Sequence, residues 1–310
     1  MQDLVIFNVE CYSNKNGEAF VSSNQLFIIG NGFDRWHQLP TSYENFYEQY
    51  RYYLDEIEHY FPYGLEGEEL WSDFENTLGQ FDESILIDEN DFMDFSEDSF
   101  PTQQLYGLED AVDEFSRGIV EAITSHFNEW IQGINLANLR PKVAFPETSQ
   151  FISFNYTSTL QQVYETSENK VYHIHGSIGQ QNRLIFGHNA PVEQATADED
   201  TYYTDAINNG RKVLVALQKP INEIIEDKLT PWLESRRNIS TISVIGHSLN
   251  NIDLPYFERI INEYPDARWQ CYSFNRREAK THKTILKKIG VPQNNIFVGT
   301  YKELVQHYSQ

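Results

Sequence analysis

Six short, β-rich apolar segments, at 26–29, 150–154, 170–174, 242–245, 268–273 and 295–298, set the main limit on how this chain folds. Amphipathic stretches of helical length lie between most of them. That rhythm predicts an α/β protein: a Rossmann-like parallel sheet with helices on both faces. The second strand arrives about 120 residues after the first, and the intervening sequence breaks the pattern.

From 43 to 139 strand signals nearly vanish. Leu108, Val112, Phe115, Ile119, Ile123, Phe127, Trp130 and Ile134 recur at three- and four-residue spacing, which predicts one long helix with an apolar stripe. A helical pattern also runs through YEQYRYYLDEI, and another begins at Trp71-Ser72-Asp73-Phe74-Glu75. The Asp- and Glu-rich run at 82–98 is read as a solvated loop. These features predict three parts: an N-terminal extension (1–25), a nucleotide-binding core (26–42 and 140–310), and a large helical insertion or cap (43–139) after the first strand. Within the extension, residues 4–7 read as an edge strand and 13–17 as a turn.

Charge narrows the function. A formal charge of -23 and an isoelectric point near 4.7 argue against direct nucleic-acid binding and against an anionic membrane surface. No run approaches the length of a membrane span. The start lacks the basic and apolar regions of a signal peptide, so the expected location is cytoplasmic. Cys11 and Cys271 are the only cysteines, which excludes a four-cysteine zinc site within this chain. A phosphorylated ligand would have to be held by backbone amides and helix ends.

Several strands end on residues that carry chemistry. The first runs into Gly30-Asn31-Gly32-Phe33-Asp34. Glycines there serve either a tight turn or close approach to a phosphate. The usual dinucleotide fingerprint is incomplete, because its third glycine position is Arg35 and its second acidic strand is replaced by a helical pattern. Asp34 either caps the following helix or bonds a ribose hydroxyl. The second strand ends at Asn155, which would either face the ligand crevice or cap the next helix. Alternation in the third strand puts His173 and His175 on one face, as metal ligands or, with no third ligand nearby, as one catalytic or ribose-binding histidine. The fourth ends in Gly246-His247-Ser248, and the fifth in Phe274-Asn275.

Taken in order, LFIIGNGFD with His37 and Leu39-Pro40-Thr41, then WSDFE at 71–75, FNYT at 154–157, HIHG at 173–176, FGHN at 186–189 and GHSL at 246–249 closely resemble the AbiH family of bacterial abortive-infection proteins. Gln38 stands where that family usually has glycine. The core also bears a more distant resemblance to the sirtuin nucleotide fold, without its cysteine zinc module. That likeness implies an NAD-binding core in which Asn155 sits beside the nicotinamide ribose and His175 is the catalytic base. It also implies that Gly30, Asn31, Gly32, Asp34, Gly246, Ser248 and Asn275 bind the nucleotide. No metal is expected. His37, Glu75, His188 and His247 fall in matching blocks without an assigned role.

The two resemblances together imply an anti-phage effector that hydrolyses NAD, as substrate, to ADP-ribose and nicotinamide. A phage-derived trigger or partner protein is the expected control, acting either through closure of the site by the insertion or through self-association into a homo-oligomer. Two other readings stand beside it. One is a non-catalytic sensor that binds NAD or ADP-ribose and signals to a partner. The other is a different nucleotide-directed hydrolase or a nuclease.

Overall fold

The computed structural model describes residues 11–13, 19–21, 24–62, 74–91, 102–179, 184–196 and 203–309. The edge strand read at 4–7, most of the turn at 13–17, Trp71-Ser72-Asp73 and residues 92–98 lie outside them. Two strands, β1 (Cys11–Ser13) and β2 (Ala19–Val21), pair antiparallel. The remaining six are β3 (Asn24–Ile29), β4 (Gln150–Ser153), β5 (Val171–His173), β6 (Ile239–Ile245), β7 (Arg268–Ser273) and β8 (Ile296–Thr300).

Those six form one all-parallel sheet in the order β5-β4-β3-β6-β7-β8, flanked by helices. Numbered by their own sequence, they run third, second, first, fourth, fifth, sixth. This is the doubly wound Rossmann order, and the expected fold class holds. Each predicted segment became a strand, with shifts of a few residues at the ends. The register aligns the carboxyl ends: Ile29 pairs with both Ser153 and Ile245, Ser153 with His173, and Ser273 with Thr300. Gly30, Asn155, Gly246 and Asn275 therefore leave the same edge of one sheet.

The chain divides into two compact units, residues 1–38, 136–174 and 222–310 in one and 39–135 and 175–221 in the other. The first holds the sheet. Its core packs Phe27, Ile29, Phe151, Ile245 and Tyr272 of the strands against Phe33, Leu160, Tyr301 and Leu304 of the helices. Burying such side chains supplies roughly 1.5–3 kcal/mol each before entropy is counted. The helix α1 (Asn31–Trp36) follows β3 directly.

The second unit is helical among its described residues: α2 (Tyr43–Ile57), α3 (Phe74–Leu78), α4 (Glu83–Asn90), α5 (Thr102–Gln132) and, from between β5 and β6, α7 (Thr204–Ala216). Here α6 (Thr159–Tyr164) belongs to the first unit. Along α5 the predicted stripe is buried at Leu108, Val112, Ile119, Ile123, Phe127 and Trp130, whereas Phe115 is half exposed and Ile134 lies past the helix end. Part of the acidic run read as a loop is a helix. Asp82 caps α4 by accepting from the Ser84 N–H at 3.0 Å, and Leu86 and Ile87 are buried, so a local cap and two apolar residues outweigh the charge density.

Gln38 adopts φ 64°, the left-handed conformation that costs a residue with a Cβ roughly 1–2 kcal/mol. The geometry accounts for why glycine suits that position. Two opposite effects on thermal unfolding are expected. Gln38→Gly raises stability by up to about 1 kcal/mol, since relief of strain outweighs the added freedom of the unfolded chain. Gly30→Ala costs about 3 kcal/mol or more, because its Cβ would lie 2.5 Å from the backbone Cα of His247. An unaltered melting temperature in either variant would contradict the backbone geometry.

Candidate functional site

The glycine pair serves the junction of β3 and β6. The Gly30 N–H donates to the Ile245 carbonyl at 3.0 Å, the Gly32 N–H to the Gly246 carbonyl at 2.7 Å, and the Phe33 N–H to the Gly30 carbonyl at 2.9 Å. A Cβ on Gly32 would stand 2.8 Å from the Gly246 Cα, and Gly246 itself has φ 67°. Close approach of two backbone segments accounts for all three glycines. The Gly32 amide that a diphosphate would need is bonded within the protein, and Asn31 is exposed.

Asp34 is neither a cap nor exposed. It is about 1 % accessible, on α1, and its carboxylate accepts from the Thr157 hydroxyl at 2.5 Å and the Thr159 hydroxyl at 2.8 Å. Burial pushes its pKa up to about 6, against the downward pull of the neighbouring Thr157, Thr159 and Asn155 side chains. The two hydroxyls are themselves 2.9 Å apart. Three short contacts and two hydroxyl protons close into a complete ring when the carboxyl contributes a proton, which agrees with the raised pKa.

Asn155 does not cap α6, whose N-cap position is Ser158. Its N–H donates to Ser153 Oγ at 3.2 Å, and its carbonyl accepts from His173 Nδ1 at 3.0 Å. Burial lowers the His173 pKa, which keeps the ring neutral and leaves Nε2 to accept from Gln161 at 3.0 Å. His173 thus braces the Asn155 backbone from the neighbouring strand. The Asn155 side chain is buried, and its Oδ1 has no hydrogen-bond partner among the described residues.

The other candidates divide by position. β5 stops at His173, so His175 does not share its strand face as the alternation predicted. His175 is buried in the second unit, where its carbonyl accepts from the Ile185 N–H at 2.9 Å. His247 is buried between Phe154 and Phe257, accepts from the Leu249 N–H at 2.9 Å through Nδ1 and faces Asp253 at 3.5 Å. Ser248 is exposed. Asn275 is exposed too, and its side-chain oxygen caps the helix Arg276–Lys288, accepting from the Arg277 and Glu278 N–H groups at 2.9 Å each.

The residues without an assigned role are structural in their contacts. His37 donates from Nδ1 to the Phe33 carbonyl at 2.8 Å and accepts from the Tyr164 hydroxyl at 2.9 Å. His188 accepts from the Ala190 N–H and donates to the Leu214 carbonyl. Glu75 forms a buried ion pair with Lys219 at 2.8 Å. Among the described residues no three His, Cys, Asp or Glu side chains are placed to hold a metal ion, and no helix is long and apolar enough to cross a membrane.

The sequence reading assigned no role to Thr157 and Thr159 as partners of the site, and His173, a candidate ligand or catalytic histidine, instead holds the Asn155 carbonyl. A hydroxyl at every second position after Asn155 was the available signal. The fold and this cluster define a doubly wound α/β protein with a buried carboxyl–carboxamide pair at the carboxyl edge of its sheet. Over residues 26–273 the sequence matches the family model described as bacteriophage abortive infection AbiH, and the chain belongs to that family. Its role is accordingly in abortive infection by phage. None of the curated proteins searched matches the chain.

The raised pKa of Asp34 fixes the sign of a pH effect. Its contribution to stability is full below the unfolded carboxyl pKa of about 3.9 and is lost as pH rises through about 6. Asp34→Asn escapes that loss. The stability of the variant relative to wild type is expected to rise by about 2 kcal/mol between about pH 4.5 and about pH 7.5, measured by denaturant unfolding. Parallel stability curves would place the carboxyl at an ordinary pKa.

Proposed function

We propose that this AbiH-family chain acts in phage defence as an NAD glycohydrolase, with Asn155 at its reacting centre. The observation that carries this reading is the buried Asn155 side chain, whose Oδ1 lacks a partner where the carboxyl ends of the sheet strands meet loops. In doubly wound sheets that edge is where ligands bind. A buried unsatisfied carbonyl costs roughly 1–3 kcal/mol, a cost that a bound water or ligand hydroxyl removes.

The chemistry is economical. Nicotinamide leaves from the cationic pyridinium of NAD as a neutral ring, taking the electron pair of the C–N bond, so no strong acid is required. The water oxygen bonds to the ribose anomeric carbon, through an oxocarbenium-like transition state as in other glycosidic cleavages. Asn155 orients that water, and its proton passes to a base. The sirtuin likeness gives that role to His175.

Purified protein is to be incubated with NAD, alone and with extract of phage-infected cells, and free nicotinamide measured. Wild type releases nicotinamide, and Asn155→Ala lowers the rate by about 10²-fold, the scale of lost orientation. His175→Ala lowers it similarly if that residue is the base. Equal inertness of wild type and both variants under every condition would rule out the reaction.

A further inference from the structure

The helix Arg276–Lys288 is out of character with the rest of the chain. Its 13 residues carry six of the chain's 23 lysines and arginines, Arg276, Arg277, Lys280, Lys283, Lys287 and Lys288, against one acid, Glu278, so it stands at +5 in a chain of -23. All six bases are exposed, whereas Ala279, His282 and Leu286 bury the opposite face. Lys287 and Lys288 suit the last turn, where the helix dipole favours positive charge, but Arg276 and Arg277 open the helix, where the dipole opposes them. Arg276 is met by Glu303 at 2.5 Å, and Arg277, Lys280, Lys283 and Lys288 have no ion-pair partner among the described residues. Phe274, just ahead of the helix, is 77 % exposed.

The long helix α5 is its counterpart. It carries Glu109, Asp110, Asp113, Glu114, Glu121 and Glu129 against one base, Arg117, a balance of -5. Arg117 is bound by Asp113 at 3.0 Å, while the exposed Asp110, Glu114 and Glu121 have no ion-pair partner among the described residues. A Cβ at Gly118 would meet nothing within 4 Å, so no packing inside the protein calls for glycine at a position where it weakens the helix, and a second helix has room to lie close there. Phe115, beside Glu114, is 51 % exposed. Lys280 and Lys287 stand two turns apart, as do Glu114 and Glu121, and four residues before each pair come Arg276 and Asp110. Laid parallel, the two helices set three bases opposite three acids.

We propose that this chain self-associates by docking the helix Arg276–Lys288 of one copy on the exposed face of α5 of a second copy. Because the two surfaces differ, the contact is heterologous: each copy keeps one of each, and the assembly grows as an open chain or closes as a ring. The charge of -23 on both copies does not forbid it, since at physiological salt screening acts over about 8 Å and leaves the pairs in contact as the surviving electrostatic effect. An anionic membrane is a poor occupant, because the helix turns its apolar side chains toward β7 and β8 of the sheet. A nucleic-acid strand would run past the helix onto acidic surface. Such docking gives surfaces to the self-association expected from the sequence and does not depend on the proposed reaction.

Sedimentation velocity on the full chain, without NAD, reads the assembly. Wild type forms oligomers whose share rises with protein concentration. Lys280→Glu with Lys287→Glu, and separately Glu114→Lys with Glu121→Lys, each weaken association by about tenfold or more at about 0.15 M salt, with melting close to that of wild type because every altered side chain is exposed. Mixed in equal amounts the two variants assemble again, since the reversed helix of one meets the reversed α5 of the other, a rescue that loss of fold cannot produce. Lys280→Gln with Lys287→Gln, which reverses no charge, weakens association about threefold. A wild type that is monomeric at every concentration, assembly untouched by either reversal, or a mixture that stays monomeric overturns the proposal. So does a labelled single-stranded oligonucleotide that binds wild type and not the lysine variant while the protein stays monomeric, which gives the helix to nucleic acid. Nicotinamide release is measured separately, so a chain inert toward NAD leaves the assembly test intact.

Discussion

At the carboxyl edge of the sheet the loops that follow β3 and β6 meet backbone against backbone, and the rest of that edge depends on it. Gly30 and Gly32 lie against Gly246 and His247 because no Cβ intervenes, and the Gly32 amide is bonded to the Gly246 carbonyl. In this strand order β3 and β6 are the pair at which the winding reverses. Locking their loops together fixes where α1 starts and how it is turned. Two residues beyond Gly32 that orientation delivers Asp34 into the interior.

From Asp34 the constraint passes to the neighbouring strand. Its carboxyl is held by Thr157 and Thr159, in the segment that leads from β4 into α6. His173 holds the Asn155 carbonyl from β5. Three adjacent strands are thereby joined at one end by side chains as well as by their ladders. A buried carboxyl with ordinary ionisation would make this a liability, because desolvation opposes the charge. The two hydroxyl donors and the upward-shifted pKa let the group exist in either state at modest cost.

What the sequence disclosed and what it hid follow from the range of the interactions. All six strands were legible, because a buried parallel strand is an apolar run bounded by turn residues, a local signature. The long helix was legible from its stripe for the same reason. The helix Glu83–Asn90 was not, since two buried residues and one cap were masked by surrounding carboxylates. Asp34 illustrates the harder limit. Its hydroxyl partners lie 123 and 125 residues away in sequence. A residue that looks like a helix cap becomes the hub of a cluster only once the sheet has brought β3 and β4 together. The glycine pair reads as a turn or as close approach to a phosphate, and a close approach that it makes is to backbone of the same protein.

That distinction bears on how so acidic a chain could receive a nucleotide. With a formal charge of -23 the surface field repels anions, and the glycine loop's Gly32 amide is already satisfied internally. Recognition at this edge through phosphate would have to work against both facts. Recognition through hydroxyl groups works against neither, because a neutral carbonyl oxygen attracts a donor whatever the net charge of the protein, and its selectivity comes from the cost of leaving a buried acceptor unmade. A ribose offers such hydroxyls beside the bond to be broken. In the proposed reaction an unmet acceptor at Asn155 would suit the sugar hydroxyls rather than the diphosphate.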